Sequence, residues 1–165
     1  MNSPQALIIK PVQLNLHADL CVSFREDSFV VSFGDAKKFY EEDGKGAERY
    51  IQWLQRKIEK DPESLVHVWQ SNQIIGQIEL GLLRSDPSCG YVNLYYLIPS
   101  MRGKGLGVFL DRYVMEYFKN LGRSKAKLSV SPTNISANSY YRKMGWIDLG
   151  PRENYPEVHL MEKYI

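Results

Sequence analysis

The sequence has little cysteine, no excess of charge of either sign and no long apolar run. Its two cysteines, Cys21 and Cys89, lie far apart and show no C-x-x-C spacing. That excludes a disulfide framework and a cysteine-based zinc site, and no metal is expected. Twenty-one basic residues face 19 acidic ones, for a net charge of +2. A nucleic-acid-binding surface would need a basic excess, and no RNP or helix-turn-helix pattern is present. No apolar stretch approaches the roughly 20 residues that span a bilayer. Met1–Gln5 lack the basic region and apolar run of a signal peptide, so two reduced thiols in a cytoplasmic protein are expected. Internal repeats, low-complexity tracts and interdomain linkers are also missing. What is present is a core: 44% of the 165 residues are hydrophobic, with eleven Tyr, six Phe and three Trp. One domain over residues 1–165 is expected.

Ala6–Lys10 reads as a strand stopped by Pro11. Leu16, Leu20 and Phe24 recur at helical spacing, in a region broken at Ser32–Asp35 and again at Asp43–Gly46. A second helix is predicted over Ala47–Lys60, ended by Asp61-Pro62. Ser64–Gln70 alternates like a strand, Ser71–Gln73 turns, and Ile74–Leu83 returns as its hairpin partner. Asp86–Ser88 reads as another turn, before an apolar and aromatic strand over Tyr91–Ile98, covered on both faces. Leu106, Phe109, Leu110, Tyr113, Val114, Tyr117, Phe118 and Leu121 form a helical stripe ending at Gly122. A strand over Lys125–Val130 and a helix over Asn134–Met144 follow. Trp146–Leu149 and Val158–Tyr164 form a last strand pair around a loop at Gly150–Pro156. The fold class is α/β (α+β) with a mixed sheet, without the regular alternation of a doubly wound fold.

The segment Pro99-Ser100-Met101-Arg102-Gly103-Lys104-Gly105-Leu106-Gly107 joins a buried strand to this amphipathic helix. A helix N-terminus offers unpaired N–H groups and partial positive charge, which together suit an anion. Three glycines at alternate positions clear side chains from the backbone, and Arg102 and Lys104 add charge. A flexible turn would need only one glycine. The spacing is neither a Walker A loop nor G-x-G-x-x-G.

Two motifs resemble the GNAT superfamily of acyl-CoA N-acyltransferases. Arg102-x-x-Gly105-x-Gly107 follows Leu97-Ile98-Pro99 and matches [RQ]-x-x-G-x-[GA]. About thirty residues on, Asn134-Ile135-Ser136-Ala137-Asn138-Ser139-Tyr140-Tyr141-Arg142-Lys143-Met144-Gly145-Trp146 matches N-x-x-A-x-x-x-Y-x-x-x-G-[FW]. The resemblance covers roughly residues 74–149, and the first seventy agree in element order alone. It implies a GNAT-type fold, with a mixed central sheet of about seven strands flanked by about four helices. It also implies N-acetyl transfer from acetyl-CoA, as co-substrate, to a primary amine of a small molecule or peptide by direct attack. The pyrophosphate would sit on the amides of Gly103–Val108, beside Arg102 and Lys104. The pantetheine arm would pair with the backbone near Leu97 and Ile98, in an opening between the strands Tyr91–Ile98 and Lys125–Val130. Asn134 and Asn138 would contact the CoA from the other side, and a backbone N–H of the splayed strand would meet the oxyanion.

In the same resemblance Tyr141 matches the general acid that protonates the departing thiolate. Tyr140 points elsewhere and packs. The general base departs from the pattern: several members place a glutamate where this chain has Tyr91, and Asn93 is no base either. Glu79, between Ile78 and Leu80, is the substitute, against the alternatives of a solvent-facing strand residue or a water chain. His67 reads as structural. The segment with Phe24–Phe29, Ser32–Asp35 and Glu41–Asp43 is acidic and aromatic, which suits a cationic amine or simply a solvated helix face over core phenylalanines. Many folds of this type dimerise, and Trp146–Tyr164 offers strands for a homodimer. Tyr91 in place of glutamate leaves a second class of function open, a non-catalytic acyl-CoA-binding and sensing module. The retained Tyr141 favours the enzyme.

Overall fold

The computed structural model describes residues 5–165. Its strands are β1 (Leu7–Pro11), β2 (Leu65–Gln70), β3 (Gln73–Leu83), β4 (Asp86–Leu97), β5 (Lys125–Val130), β6 (Ile147–Arg152) and β7 (Tyr155–Tyr164). They form a seven-stranded sheet in the order β1-β2-β3-β4-β5-β7-β6. The sheet is mixed: β4 and β5 run parallel, while the β1–β2, β2–β3, β5–β7 and β6–β7 pairs are antiparallel. The helices are α1 (Leu14–Phe33), α2 (Lys37–Tyr40), α3 (Gly46–Lys60), α4 (Gly107–Asn120) and α5 (Ile135–Lys143).

The element order matches the expectation, with one helical turn, α2, added. Three local readings are corrected. Asp86–Ser88 is the start of β4, not a turn. The Asp86 carboxylate accepts from the Ser88 amide at 3.2 Å and its hydroxyl at 2.5 Å, so turn chemistry is satisfied on extended backbone. The expected loop Gly150–Pro156 is mostly strand, because irregular pairing between Asp148 and Arg152 absorbs Gly150 and Pro151. β4 is buried alternately, not on both faces: Val92, Leu94 and Tyr96 are buried, while Tyr91, Asn93 and Tyr95 are half-buried.

The chain divides into two compact units. The first comprises the segment up to Val30, then Gly34–Glu79 and Leu94–Arg102. In α3, Tyr50 and Leu54 lie one turn apart on the inner stripe. They pack with Val12, Cys21, Phe39 and Leu65. Leu54 and Leu65 are fully buried, each stabilising the unit by about 1.5–3 kcal/mol. Asp61 ends α3, and its side chain accepts from the Glu63 amide to start a 3-10 turn at Pro62–Ser64. A second cluster joins Phe24 of α1 to Leu94 and Tyr96 of β4.

The second unit comprises Val31–Phe33, Leu80–Asn93 and Gly103–Ile165. On α4, Leu110, Val114 and Phe118 are buried, as the stripe predicts, but Leu121 is 43% exposed. Asp111 is buried on the same helix. It accepts from Trp146 Nε1 at 3.2 Å and from Lys163 Nζ at 2.6 Å, so the carboxylate is paired rather than stranded.

Candidate active site

In the second unit the glycine turn leads into α4. Gly103 and Gly105 have φ of 73° and 78°, and open space lies where a side chain would begin at each. Only the backbone conformation demands glycine there, so the turn surface is free for a close approach. The α4 N-terminus carries no side-chain cap, and its first amides remain available to an anion. Lys104 and Val108 are exposed on this turn. Gly107 has a different reason: a Cβ there would run into the Tyr140 ring. The Tyr140 hydroxyl donates to the Gly107 carbonyl at 2.6 Å. This tyrosine, expected to pack, thereby ties α5 to the start of α4.

Asn134 caps α5 by accepting from the Ala137 amide at 3.2 Å. Asn138 Nδ2 donates to the carbonyls of Ser131 and Asn134, at 2.9 and 2.8 Å. Both asparagines therefore hold the loop between β5 and α5. In these bonds Asn134 uses its oxygen and Asn138 its nitrogen. Tyr141 is half-buried and meets the Trp146 ring edge-on at 6.2 Å. Burial, and after it the charge of Asp111, pushes its phenol above the ordinary range. Tyr141 therefore stays protonated across neutral pH. The role of Asp111 was not read from the sequence, because the residue sits inside an apolar stripe.

In the first unit, Leu97 ends β4 and the Ile98 amide donates to Ile75 at 2.9 Å. Arg102 Nε donates to the Leu97 carbonyl at 2.8 Å, and Nη2 donates to Asp27 at 2.8 Å. Tyr96 also donates to Asp27, at 2.6 Å. Burial raises the Asp27 carboxyl, but these donors and the Arg102 charge hold it below its usual range.

Glu79 is fully buried, which overturns the solvent-facing alternative. Its Oε2 accepts from Tyr50 and, at 2.8 Å, from Gln77 Nε2. Its Oε1 has no hydrogen-bond partner, and Arg25 Nη2 lies 3.8 Å away. Burial and the Glu79 charge raise the Tyr50 phenol, against the opposing charge of Arg25. Burial, with Glu79 adding to it, pushes the Cys21 thiol up to about 12.

His67 is structural, as expected. Gln77 Nε2 donates to Tyr50 at 3.0 Å as well as to Glu79, so its oxygen must accept from His67 Nε2, at 2.8 Å. Burial lowers His67 from 6.5 to about 4, with the Gln77 bond opposing and the charge of His17 adding. The unfolded chain therefore takes up this proton first as pH falls below about 6.5. Stability is fully present above that pH and is lost as pH falls toward about 4. Roughly 2 kcal/mol should go between pH 7 and pH 5, read as a lower urea midpoint. The same decline in His67→Gln would contradict this assignment.

Four acids of the acidic segment are engaged by partners, while Glu42 is exposed. Glu26 accepts from Tyr40 at 2.7 Å, and Asp27 is engaged as above. Glu41 and Asp43 hold Arg49 at 2.7 and 2.6 Å. Phe24 is buried and Phe29 packs on the core, while Phe33 is 36% exposed. No cluster of three His, Cys, Asp or Glu suited to a metal occurs among the described residues.

The Acetyltransferase (GNAT) family model matches residues 25–146. The chain belongs to this family. Solved structures agree in fold. The PaiA N-acetyltransferase of Thermoplasma acidophilum, in complex with coenzyme A, superposes with a TM-score of 0.75 at 18% identity, covering 97% of this chain and 99% of that one. A ribosomal-protein-alanine N-acetyltransferase of Brucella melitensis gives 0.72 at 14%, covering 96% and 99%. The spermidine N-acetyltransferase of Vibrio cholerae, with CoA and spermine, gives 0.71 at 16%, covering 99% and 96%. No curated protein matches the chain. As a GNAT acetyltransferase, the protein is an acyl-CoA-dependent enzyme that moves an acetyl group from acetyl-CoA to an amine.

Proposed function

We propose that this GNAT acetyltransferase holds the pyrophosphate of acetyl-CoA on Gly103–Val108 and transfers the acetyl group with Tyr141 as general acid and Glu79 as general base. The observation that carries this reading is the uncapped α4 N-terminus behind Gly103 and Gly105, whose Cβ positions face open space. Lys104 adds charge there. Arg102, bound to Asp27, contributes through Leu97: the carbonyl it holds keeps a second lone pair for the pantetheine arm. Ile98 adds backbone to the same strand end. Asn134 and Asn138 contact the CoA through the atoms that their loop bonds leave over, Nδ2 and Oδ1.

Acetyl-CoA supplies an activated thioester. The amine must lose a proton to attack it, and Glu79 Oε1, with no donor of its own, takes that proton. Tyr141 gives its hydroxyl proton to the leaving sulfur. The chain acts as one domain, 1–165, in the cytoplasm, on an amine and not on nucleic acid. Two buried free thiols suit a reducing compartment, and no helix among the described residues is long and apolar enough to cross a membrane. Exposed Ile147, Leu149, Tyr155 and Tyr164 on β6 and β7 suit a homodimer contact.

Calorimetric titration with acetyl-CoA tests the cradle, with desulfo-CoA and ATP as controls. Gly105→Val forces a β-branched residue to a φ of 78°, at about 1–3 kcal/mol of strain. Binding should weaken about tenfold or more. Equal binding by this variant, or none by the wild type at millimolar acetyl-CoA, would remove the cradle.

A further inference from the structure

Arg152, at the end of β6, has no carboxylate partner among the described residues. The other cations of its unit that pair do so with acids: Lys125 and Lys127 with Glu162, Arg142 with Asp148, and Lys163 with Asp111. Arg152 instead donates from Nη1 to Tyr91 Oη at 3.3 Å and to Ser129 Oγ at 3.2 Å. These two hydroxyls lie 2.7 Å apart. The guanidinium also lies over the Tyr155 ring at 5.3 Å and the Tyr91 ring at 5.9 Å. Two hydroxyls and two rings fix the plane of a half-buried cation without neutralising it. Ordering an arginine costs side-chain entropy, and hydroxyl contacts recover little of the charge's lost hydration. Nε and Nη2 are left as a planar fork, the geometry that suits two carboxylate oxygens.

The position of this fork matters. β4 and β5 pair at Gly90–Val92 and Ala126–Leu128. Ser129 is the next residue after the last pair. Tyr91 lies inside this pairing, opposite Lys127, and its hydroxyl accepts from the cation.

We propose that Arg152, held by Tyr91 and Ser129, binds a carboxylate on the acceptor, so that the acceptor is a small amine of the amino-acid class. This rests on the proposed function, in which the protein transfers an acetyl group from acetyl-CoA held on Gly103–Val108. One fixed positive charge complements one negative charge on the substrate, while Glu26, Asp27, Glu41 and Asp43 of the α1–α3 segment are engaged by their own partners.

The test is CoA thiol release from acetyl-CoA with L-amino acids, each paired with its amide, which keeps the amine and loses the carboxylate. Spermidine and phosphoethanolamine complete the panel. The best amino acid should exceed its amide in kcat/KM by about ten- to a hundredfold, mostly through KM. In Arg152→Met that preference should collapse, and Arg152→Lys, which keeps charge without the fork, should restore only part of it. Should Arg152→Met fail to fold, the wild-type ratio and Ser129→Ala, with a reduced preference, decide. The proposal is overturned if no amino acid is acetylated. It is equally overturned if an amide, spermidine or phosphoethanolamine does as well, or if the preference survives in Arg152→Met. Calorimetry with acetyl-CoA on the same wild-type preparation keeps the two levels apart. Intact acetyl-CoA binding means that only the acceptor assignment has failed; absent binding means that the CoA cradle has failed as well.

Discussion

Replacing Tyr141 with phenylalanine should lower kcat by about a hundredfold or more and leave acetyl-CoA affinity nearly unchanged. The ring stays, with its edge contact to Trp146. Only the hydroxyl is lost. Burial and the Asp111 charge keep that hydroxyl protonated, which is the state an acid must hold before the thiolate leaves. A ground-state binding role would show in the affinity for acetyl-CoA, and a transition-state role in kcat. Single-turnover kinetics beside calorimetry separate the two. Unchanged turnover would remove Tyr141 from the chemistry.

Glu79→Gln should cost about a hundredfold in kcat/KM at neutral pH. The substitution preserves shape, and the glutamine oxygen can still accept from Tyr50 and Gln77. What it removes is the capacity to take a proton. An amine of pKa near 10 has lost its own proton in strongly alkaline solution, so the gap between variant and wild type should narrow as pH rises toward about 10. A pH–rate profile of both proteins reads this directly. A uniform loss across pH, accompanied by a lower melting temperature, would make Glu79 a structural member of the buried network and nothing more.

Periodicity makes most of the elements legible in the sequence. β5 falls at its predicted bounds and α3 starts one residue early, because each has one buried face and a clear stop. The glycine turn and the Asn134–Trp146 motif were legible as well, since each is local in sequence. The misread places are those where side chains override local propensity. Asp86–Ser88 carries turn residues, yet its carboxylate satisfies an extended backbone. α2 is four residues long, too short for a periodic signal.

Partners distant in sequence were not legible. Glu79 looked equally suited to solvent and to burial, because Tyr50 lies 29 positions away and Arg25 sits on another helix. Arg102 read as a phosphate ligand, while its guanidinium is bound to Asp27, 75 positions away. Arg152 gave no sequence signal at all. Its setting depends on a strand register that brings Tyr91 and Ser129 together across 38 positions.

The central claim is that this family member is a working enzyme with its chemistry on Tyr141 and Glu79. Amine-dependent release of CoA from acetyl-CoA, followed by thiol titration on the wild-type protein, tests it most directly. The account predicts release that saturates with an amine and falls sharply in both Tyr141→Phe and Glu79→Gln. Tight acetyl-CoA binding with no release for any amine would contradict it, and would leave a sensing module in place of a transferase.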